Sequence, residues 1–399
     1  MEVKIEKMDS EGRGIAYLDG KVTFVNKTIP GDIVDINIIK STKNYNEGYL
    51  LNIIKSSPNR IKPFCPFYNL CGGCDLQNLN YEDTIQYKKE TIKNLFSRRG
   101  IEINPIVISN QHPLHYRNKI EIKIQNKKIG FYEKRTNKIV EINKCPIASK
   151  SINETITLIP QMNITNGDIT IRSNYNNEIL IIINSKDNLE INIENLKKQI
   201  KLVGIVLNNK TIYGENYLME IVNHQIYKIS YDSFFQVNPY IAEKMFKLVD
   251  KNITLNSTVL DLYCGVGTLS LNAAKKASKV IGVEAVENAV FSAIFNSKIN
   301  KLTNTSFVLN DVSKAIDKIN DNIDTIIIDP PRSGIQKQVI TKILEKLPPK
   351  IIYISCNHMT MLRDIELLKK EYKIEKFYLM DMFSYTKHME CMCIMQKVI

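Results

Sequence analysis

Nothing in this chain narrows the choice of fold as much as the change of pattern near Tyr231. From there short apolar runs alternate with helical stretches. Five runs, TVLDLY, KVIGVE, TSFVLN, DTIIID and KIIYIS, read as strands, and strand-helix alternation predicts a mainly parallel α/β sheet. KIEKFYLMDM and ECMCIMQKV read as two more strands, giving a seven-stranded sheet with an antiparallel end. Ligands of such open sheets bind beyond the carboxyl ends of the strands, so the residues ending these runs are read first.

The rest of the 399 residues is organised differently. Residues 1–57 hold short alternating runs (VKIEKM, GKVTFVN, DIVDINII, GYLLNII) separated by GRG, Asp19-Gly20 and PGD, which predict a small β-barrel. The stretch GRGIAYLDGKVTFVNKTIPGDIVDINI resembles a TRAM domain, a small RNA-binding barrel appended to RNA-modifying enzymes. Residues 58–230 open with a Cys-rich segment and a helix from about Tyr81 to Arg99. The strand-like runs KIEIKIQ, KIGFYEK, GDITIRSN, NEILIIIN and LVGIVLN follow, which predict a mainly antiparallel central domain. Residues 231–399 are the α/β domain. No apolar run is long enough to span a bilayer and the N-terminus lacks a secretory h-region, so a soluble, cytoplasmic protein without a membrane partner is expected.

The formal net charge is +12. Between Lys88 and Lys138 thirteen Lys or Arg face four Glu, a balance of +9, with Tyr87, Phe96, His115, Tyr116, Asn118, Phe131 and Tyr132 interleaved. Cations that neutralise phosphate, mixed with rings that stack on bases, point to a nucleic-acid partner.

Three strand ends suit one nucleoside. TVLDLY leads into CGVGT and a helix, where Gly265 and Gly267 let a ligand approach free N–H groups. KVIGVE ends in Glu284, placed to accept from ribose hydroxyls, and TSFVLN is followed by Asp311, which could accept from an adenine amino group. The fourth and fifth strands end in Asp329-Pro330-Pro331-Arg332-Ser333-Gly334 and Ser355-Cys356-Asn357. Amino-group methyltransferases often carry an aromatic residue after Asp-Pro-Pro, and Arg332 stands there instead. A thiol nearby suits attack on a pyrimidine: added to C6, a thiolate turns uracil into an enolate whose C5 accepts a methyl group. A carboxylate must then remove the C5 proton, and Glu390 in KHMECM is the best candidate.

The chain resembles the uracil-C5 RNA methyltransferases that modify ribosomal or transfer RNA. FFQVNP (234–239), DLYCGVGT (261–268), DPPRSG (329–334), SCN (355–357) and HMEC (388–391) carry the likeness, which spans nearly the whole chain. It implies a multidomain α/β enzyme with an OB-like TRAM barrel, a mainly antiparallel central domain and a Rossmann-like seven-stranded methyltransferase domain. It makes Gln236, Tyr263, Glu284 and Asp329, with Thr268 and Asp311, contacts of S-adenosyl-L-methionine, Cys356 the nucleophile and Glu390 the base. The sequence departs from the family at His358, where Pro usually follows Ser-Cys-Asn.

Cys65, Cys71 and Cys74 form a C-x5-C-x2-C triplet, and Cys145 lies far downstream. Spacing alone leaves Zn²⁺ and an iron–sulfur cluster open. The resemblance implies a [4Fe–4S] cluster, since its iron–sulfur members share this pattern. It also favours 23S rRNA over tRNA as substrate, for a chain expected to work as a monomer. A cytosine-C5 enzyme would show Pro-Cys and Thr-Cys motifs that do not precede Cys356, and the Gln236, Glu284, Cys356 and Glu390 set argues against a non-enzymatic cluster protein.

Overall fold

The computed structural model describes residues 1–398. The N-terminal sheet comprises β1 (Glu2–Lys4), β2 (Lys7–Met8), β3 (Gly14–Leu18), β4 (Lys21–Val25), β5 (Ile33–Ser41) and β6 (Tyr45–Lys55), in the order β1-β5-β6-β4-β3-β2. β1 pairs with β5 and β2 with β3, while only Ile5 and Glu6 separate β1 from β2. One stretch of chain therefore satisfies both sheet edges, and the sheet closes into a barrel. Val3, Ile5, Ala16, Val25, Val34 and Ile36 fill it.

The chain continues through α1 (Tyr81–Ser97) and β7 (Ile106–Ile108) into a second sheet of β8 (Lys119–Gln125), β9 (Lys128–Tyr132), β10 (Ile139–Glu141), β11 (Gly167–Ser173), β12 (Glu178–Ser185), β13 (Lys201–Leu207) and β14 (Lys210–Gly214). Alternate residues of β12 go to opposite faces. Ile179, Ile181 and Ile183 pack with α2 (Lys150–Leu158) and α3 (Ile193–Gln199), and Leu180 and Ile182 with Leu218 of the hairpin β15 (Tyr217–Val222) and β16 (Gln225–Ser230). Its pairs are antiparallel as expected, except that β12 and β13 run parallel because α3 crosses between them.

The third sheet is built from β17 (Thr258–Leu262), β18 (Lys279–Glu284), β19 (Thr305–Leu309), β20 (Thr325–Ile328), β21 (Lys350–Ser355), β22 (Tyr372–Met380) and β23 (Glu390–Lys397). The helices around it are α4 (Pro239–Asn252), α5 (Thr268–Ala273), α6 (Glu287–Ile299), α7 (Val312–Ala315), α8 (Lys337–Lys346) and α9 (His358–Leu368). All seven expected strands are present, but the sheet has eight, in the order β19-β18-β17-β20-β21-β23-β22-β7. The eighth is β7, which pairs in parallel with β22. Preceding it, α1 buries Ile92 and Phe96 against the face carrying Leu260, Ile326 and Phe377. β7 thus joins the α/β sheet and α1 packs on it, whereas the sequence places both within a central domain of residues 58–230. A three-residue strand has no periodicity to show which sheet it completes.

Leu260, Ile326 and Ile328 bury into one face and Val259, Ile327 and Ile352 into the other. Strands covered on both sides read as continuous apolar runs, which is why they stand out in the sequence. The order reverses between β17 and β20, opening a crevice beyond their carboxyl ends. Among the described residues no helix is long and apolar enough to cross a membrane.

Candidate active site

The loop after β17 turns through positive φ at Tyr263 (64°), Gly265 (55°) and Gly267 (85°). Gly267 caps α5, and a Cβ there would stand 2.9 Å from Leu271 Cδ1 and 3.2 Å from Ala293 Cβ, so only glycine fits. Glu284, ending β18, holds this loop: its carboxylate accepts from the N–H groups of Gly265 (3.0 Å), Ala285 (2.8 Å) and Val286 (2.9 Å). Thr268 opens α5 and is half-buried. Asp311 caps α7, its Oδ1 accepting from Ser313 N–H at 2.8 Å, and the Ser313 hydroxyl holds its carboxyl below the ordinary range.

Two buried polar atoms at the carboxyl end of β17 and in the turn after it have no partner in the protein: Asp261 Oδ1 and the Tyr263 hydroxyl. Burial pushes Asp261 up to about 7, with Asp329 and Glu284 adding, and Tyr263 up to about 12. Buried polar groups are ordinarily hydrogen-bonded, so these two suit a ligand that brings its own donors and acceptors. Gln236 is buried on the loop before α4. The central sheet holds that loop: Asn118 donates N–H to the Val237 carbonyl at 2.9 Å and Nδ2 to that of Gln236 at 3.3 Å, and Arg172 donates to Ser233 O.

Asp329 follows β20, and burial pushes its carboxyl up to about 7. β21 and β23 pair antiparallel with Ser355 opposite Cys391, which brings Cys356 and Glu390 together one step further on. Burial pushes the Cys356 thiol up to about 11 and the Glu390 charge adds to this, while Arg332 opposes both. Glu390, 3% exposed, is held well above the carboxylate range by burial and then by Asp329, again opposed by Arg332.

Arg332 is the cation that the sequence reading did not supply for the thiol. Helix α9, which starts directly after the Cys356-Asn357 turn, clamps the loop that carries it. Asn357 Nδ2 donates to Arg332 O at 2.8 Å, Arg363 Nη2 to the carbonyls of Ser333 and Ile335 at 3.2 Å, and Ile335 N–H to buried Asp364 at 2.8 Å. Asn357 also caps α9, accepting from Met359 and Thr360 N–H. His358, where the family departure lies, lines a cleft of about 630 Å³ between the barrel and α1.

Cys65, Cys71, Cys74 and Cys145 line one cavity of about 230 Å³ and form no disulfide. Burial pushes all four thiols up, Cys74 to about 12. Among the described residues no three His, Cys, Asp or Glu side chains converge as a single metal ion would require. Lys27 of the barrel donates to Cys74 O at 2.7 Å and lies 3.8 Å from the centroid of Tyr68.

The basic stretch is only partly a surface. Lys88 is fully buried, paired with Asp381 at 2.6 Å, and Phe96 and Tyr116 are core residues. Their apolar neighbours on α1 and around Ser384 claimed them. Arg117 to Lys138, with Tyr132 39% exposed, keeps the cation-aromatic character.

The tRNA (uracil-5-)-methyltransferase family model matches residues 80–398, and the TRAM domain model matches residues 1–51. The 23S rRNA (uracil(1939)-C(5))-methyltransferase RlmD of Legionella pneumophila is 32% identical over 429 residues, covering 99% of this chain and 96% of that one. An RNA methyltransferase of Caldanaerobacter subterraneus is 33% identical over 441 residues, covering 99% and 98%. Among solved structures, the Pyrococcus abyssi tRNA (uracil-54, C5)-methyltransferase in complex with S-adenosyl-L-homocysteine is similar with a TM-score of 0.82 and 26% identity, covering 99% of this chain and 100% of that one.

Proposed function

Because the chain belongs to the tRNA (uracil-5-)-methyltransferase family and is an S-adenosylmethionine-dependent RNA methyltransferase acting at uracil C5, we propose that it works through a covalent adduct between Cys356 and C6 of a uridine in 23S rRNA. The observation that carries this reading is the meeting of Cys356, Glu390 and Arg332 beyond the ends of β20, β21 and β23. The Cys356 thiolate adds to C6, and electron density moves to C5, which takes the methyl group as its bond to the sulfonium breaks and S-adenosylhomocysteine leaves. Glu390 then removes the C5 proton and the C6–S bond breaks, returning the thiolate. Arg332 favours the thiolate against its burial. Since C6 is shielded within a stack, the uridine is unpaired or flipped out.

S-adenosylmethionine supplies the methyl group when bound. Glu284, Tyr263 and Asp329, with Thr268, Asp311 and Gln236, would hold it. The orphaned Asp261 Oδ1 and Tyr263 hydroxyl fit a polar nucleoside there. Glu284 already spends three acceptor positions on its own loop, leaving one direction for a ribose hydroxyl.

Cys65, Cys71, Cys74 and Cys145 would hold a [4Fe–4S] cluster: the four thiols line one cavity, and four thiolates are the donor set such a cluster takes. In this reading the cluster staples residues 58–80 to the central sheet and takes no part in methyl transfer. The barrel and the surface from Arg117 to Lys138 grip RNA. In this proposal each chain carries cofactor site, nucleophile and base and works as a monomer in the reducing cytoplasm, where Cys356 and the cluster-holding cysteines stay out of disulfides. Labelled S-adenosylmethionine offered with unmodified 23S rRNA and tRNA transcripts tests the substrate. The methyl group is expected at C5 of a 23S uridine, and transfer to tRNA alone would overturn that choice.

A further inference from the structure

The cysteine site touches the loop that carries Glu390, and one side chain makes the connection. Asp75 follows Cys74 directly and is 5% exposed. Its Oδ1 accepts from Lys134 Nζ of the central domain at 2.7 Å. Its Oδ2 accepts from the backbone N–H of Lys387 at 3.2 Å, three residues before Glu390. The N–H groups of Asp75 and Leu76 both donate to the Tyr385 carbonyl, at 3.1 and 3.0 Å. On the opposite side the Asp75 carbonyl accepts from the Tyr68 hydroxyl at 2.5 Å, and the Cys74 carbonyl accepts from Lys27 of the barrel at 2.7 Å. The Lys387 ammonium pairs with Glu11, also of the barrel.

Residues 381–389 lie between β22 and β23 and make no ladder pairs of their own. Such a segment takes its position from the groups that satisfy its backbone. Here two carbonyl and amide positions of the loop are satisfied by residues 75 and 76, immediately beyond a cysteine of the cavity. A general base must lie within hydrogen-bond reach of its proton, and a displacement of about 1 Å costs on the order of 10²-fold in rate.

We propose that Asp75 is a positioning residue for the general base: it fixes residues 385–388, and hence the Glu390 carboxylate, against C5 of the adduct, and ties that placement to the integrity of the cysteine site. The inference rests on the readings of Cys356, Glu390 and the iron-bearing cysteine site given above. Its signature is confined to one half of the reaction. Thiolate addition and methyl transfer do not need Glu390, whereas loss of the C5 proton and release of the thiolate do. A displaced base therefore leaves enzyme joined to methylated RNA.

The test is Asp75→Asn in the full chain, with Glu390→Gln as the reference. Asparagine keeps the volume but must present an NH2 group to either Lys134 or the Lys387 N–H. Iron content and far-UV circular dichroism report whether the site and fold persist. Denaturing gels with ordinary uridine transcript report the covalent complex. Asp75→Asn is expected to keep its iron, lose about tenfold or more in turnover, and accumulate the complex as Glu390→Gln does. Accumulation in Glu390→Gln but not in Asp75→Asn would overturn the proposal. Absence of complex in Glu390→Gln itself would overturn the base assignment and this inference with it. Hydrogen exchange of the wild-type chain before and after iron chelation reads the same link without a substitution. Residues 381–389 should exchange faster after chelation, and unchanged exchange would contradict the coupling.

Discussion

Ser355 stands opposite Cys391 in the antiparallel pairing of β21 with β23, so the next residue of each strand end, Cys356 and Glu390, lie close enough for the Glu390 charge to act on the thiol. The proposed nucleophile and base thus come from strands adjacent in the sheet but separated in sequence by α9 and β22. The register of the sheet sets their spacing, and a slip of β23 by one residue would turn Glu390 to the face opposite Cys356.

Burial and the Glu390 charge hold the Cys356 thiol at about 11, with Arg332 opposing. The thiolate is the reactive form, and below the pKa its share rises tenfold with each pH unit. Alkylation of Cys356 by iodoacetamide, followed by peptide mass spectrometry, should therefore still be rising at pH 9. Arg332→Gln removes the opposing cation and raises the pKa further, so alkylation at pH 8 should slow by about tenfold, with Arg332→Lys in between. Equal rates in the two proteins would remove Arg332 from the account.

Glu284 braces the cofactor loop through Gly265, Ala285 and Val286. Glu284→Ala should weaken S-adenosylmethionine binding by about 10- to 100-fold in calorimetric titration, because the proposed ribose contact and the loop's anchor are lost together. Unfolding midpoints should move little, since Glu284 is only half-buried.

Gly334 has φ of +79°, and a Cβ there would lie 2.6 Å from Arg363 Nη2 and 2.7 Å from Asp364 Oδ2. Gly334→Ala should cost about 1–3 kcal/mol in denaturant unfolding. It should also slow Cys356 alkylation in the same sense as Arg332→Gln, because the strained loop carries the guanidinium.

The strand ends were legible because a sheet buried on both faces writes its strands as apolar runs, so Glu284, Asp329, Cys356 and Glu390 could be placed at one edge from sequence. Arg332 was visible only as a missing aromatic residue. Its bearing on the thiol depends on Asn357, Arg363 and Asp364 of α9, whose contacts no local pattern announces. Lys88 shows the reverse error: a cation within a basic run reads as surface, yet it lies wholly buried against Asp381. Ile106–Ile108 completes a sheet assembled almost entirely more than 150 residues later.

Breaking the Lys88 pair should be costly. Lys88→Met leaves the buried Asp381 carboxylate with only the hydroxyls of Tyr81 and Ser384, and should cost about 3–5 kcal/mol in denaturant unfolding.

Anaerobically purified protein should contain iron and sulfide in equal amounts and lose both in Cys74→Ser. Zinc in place of iron would contradict the cluster reading.

The central claim is covalent catalysis by Cys356. In RNA carrying 5-fluorouridine, fluorine stands in place of the C5 proton and Glu390 cannot remove it, so the adduct formed with enzyme and S-adenosylmethionine should persist. Digestion and mass spectrometry are expected to find the peptide containing Cys356 joined to a methylated fluorouridine, and none in Cys356→Ala. A linkage at another cysteine, or full methylation of ordinary RNA by Cys356→Ala, would contradict it.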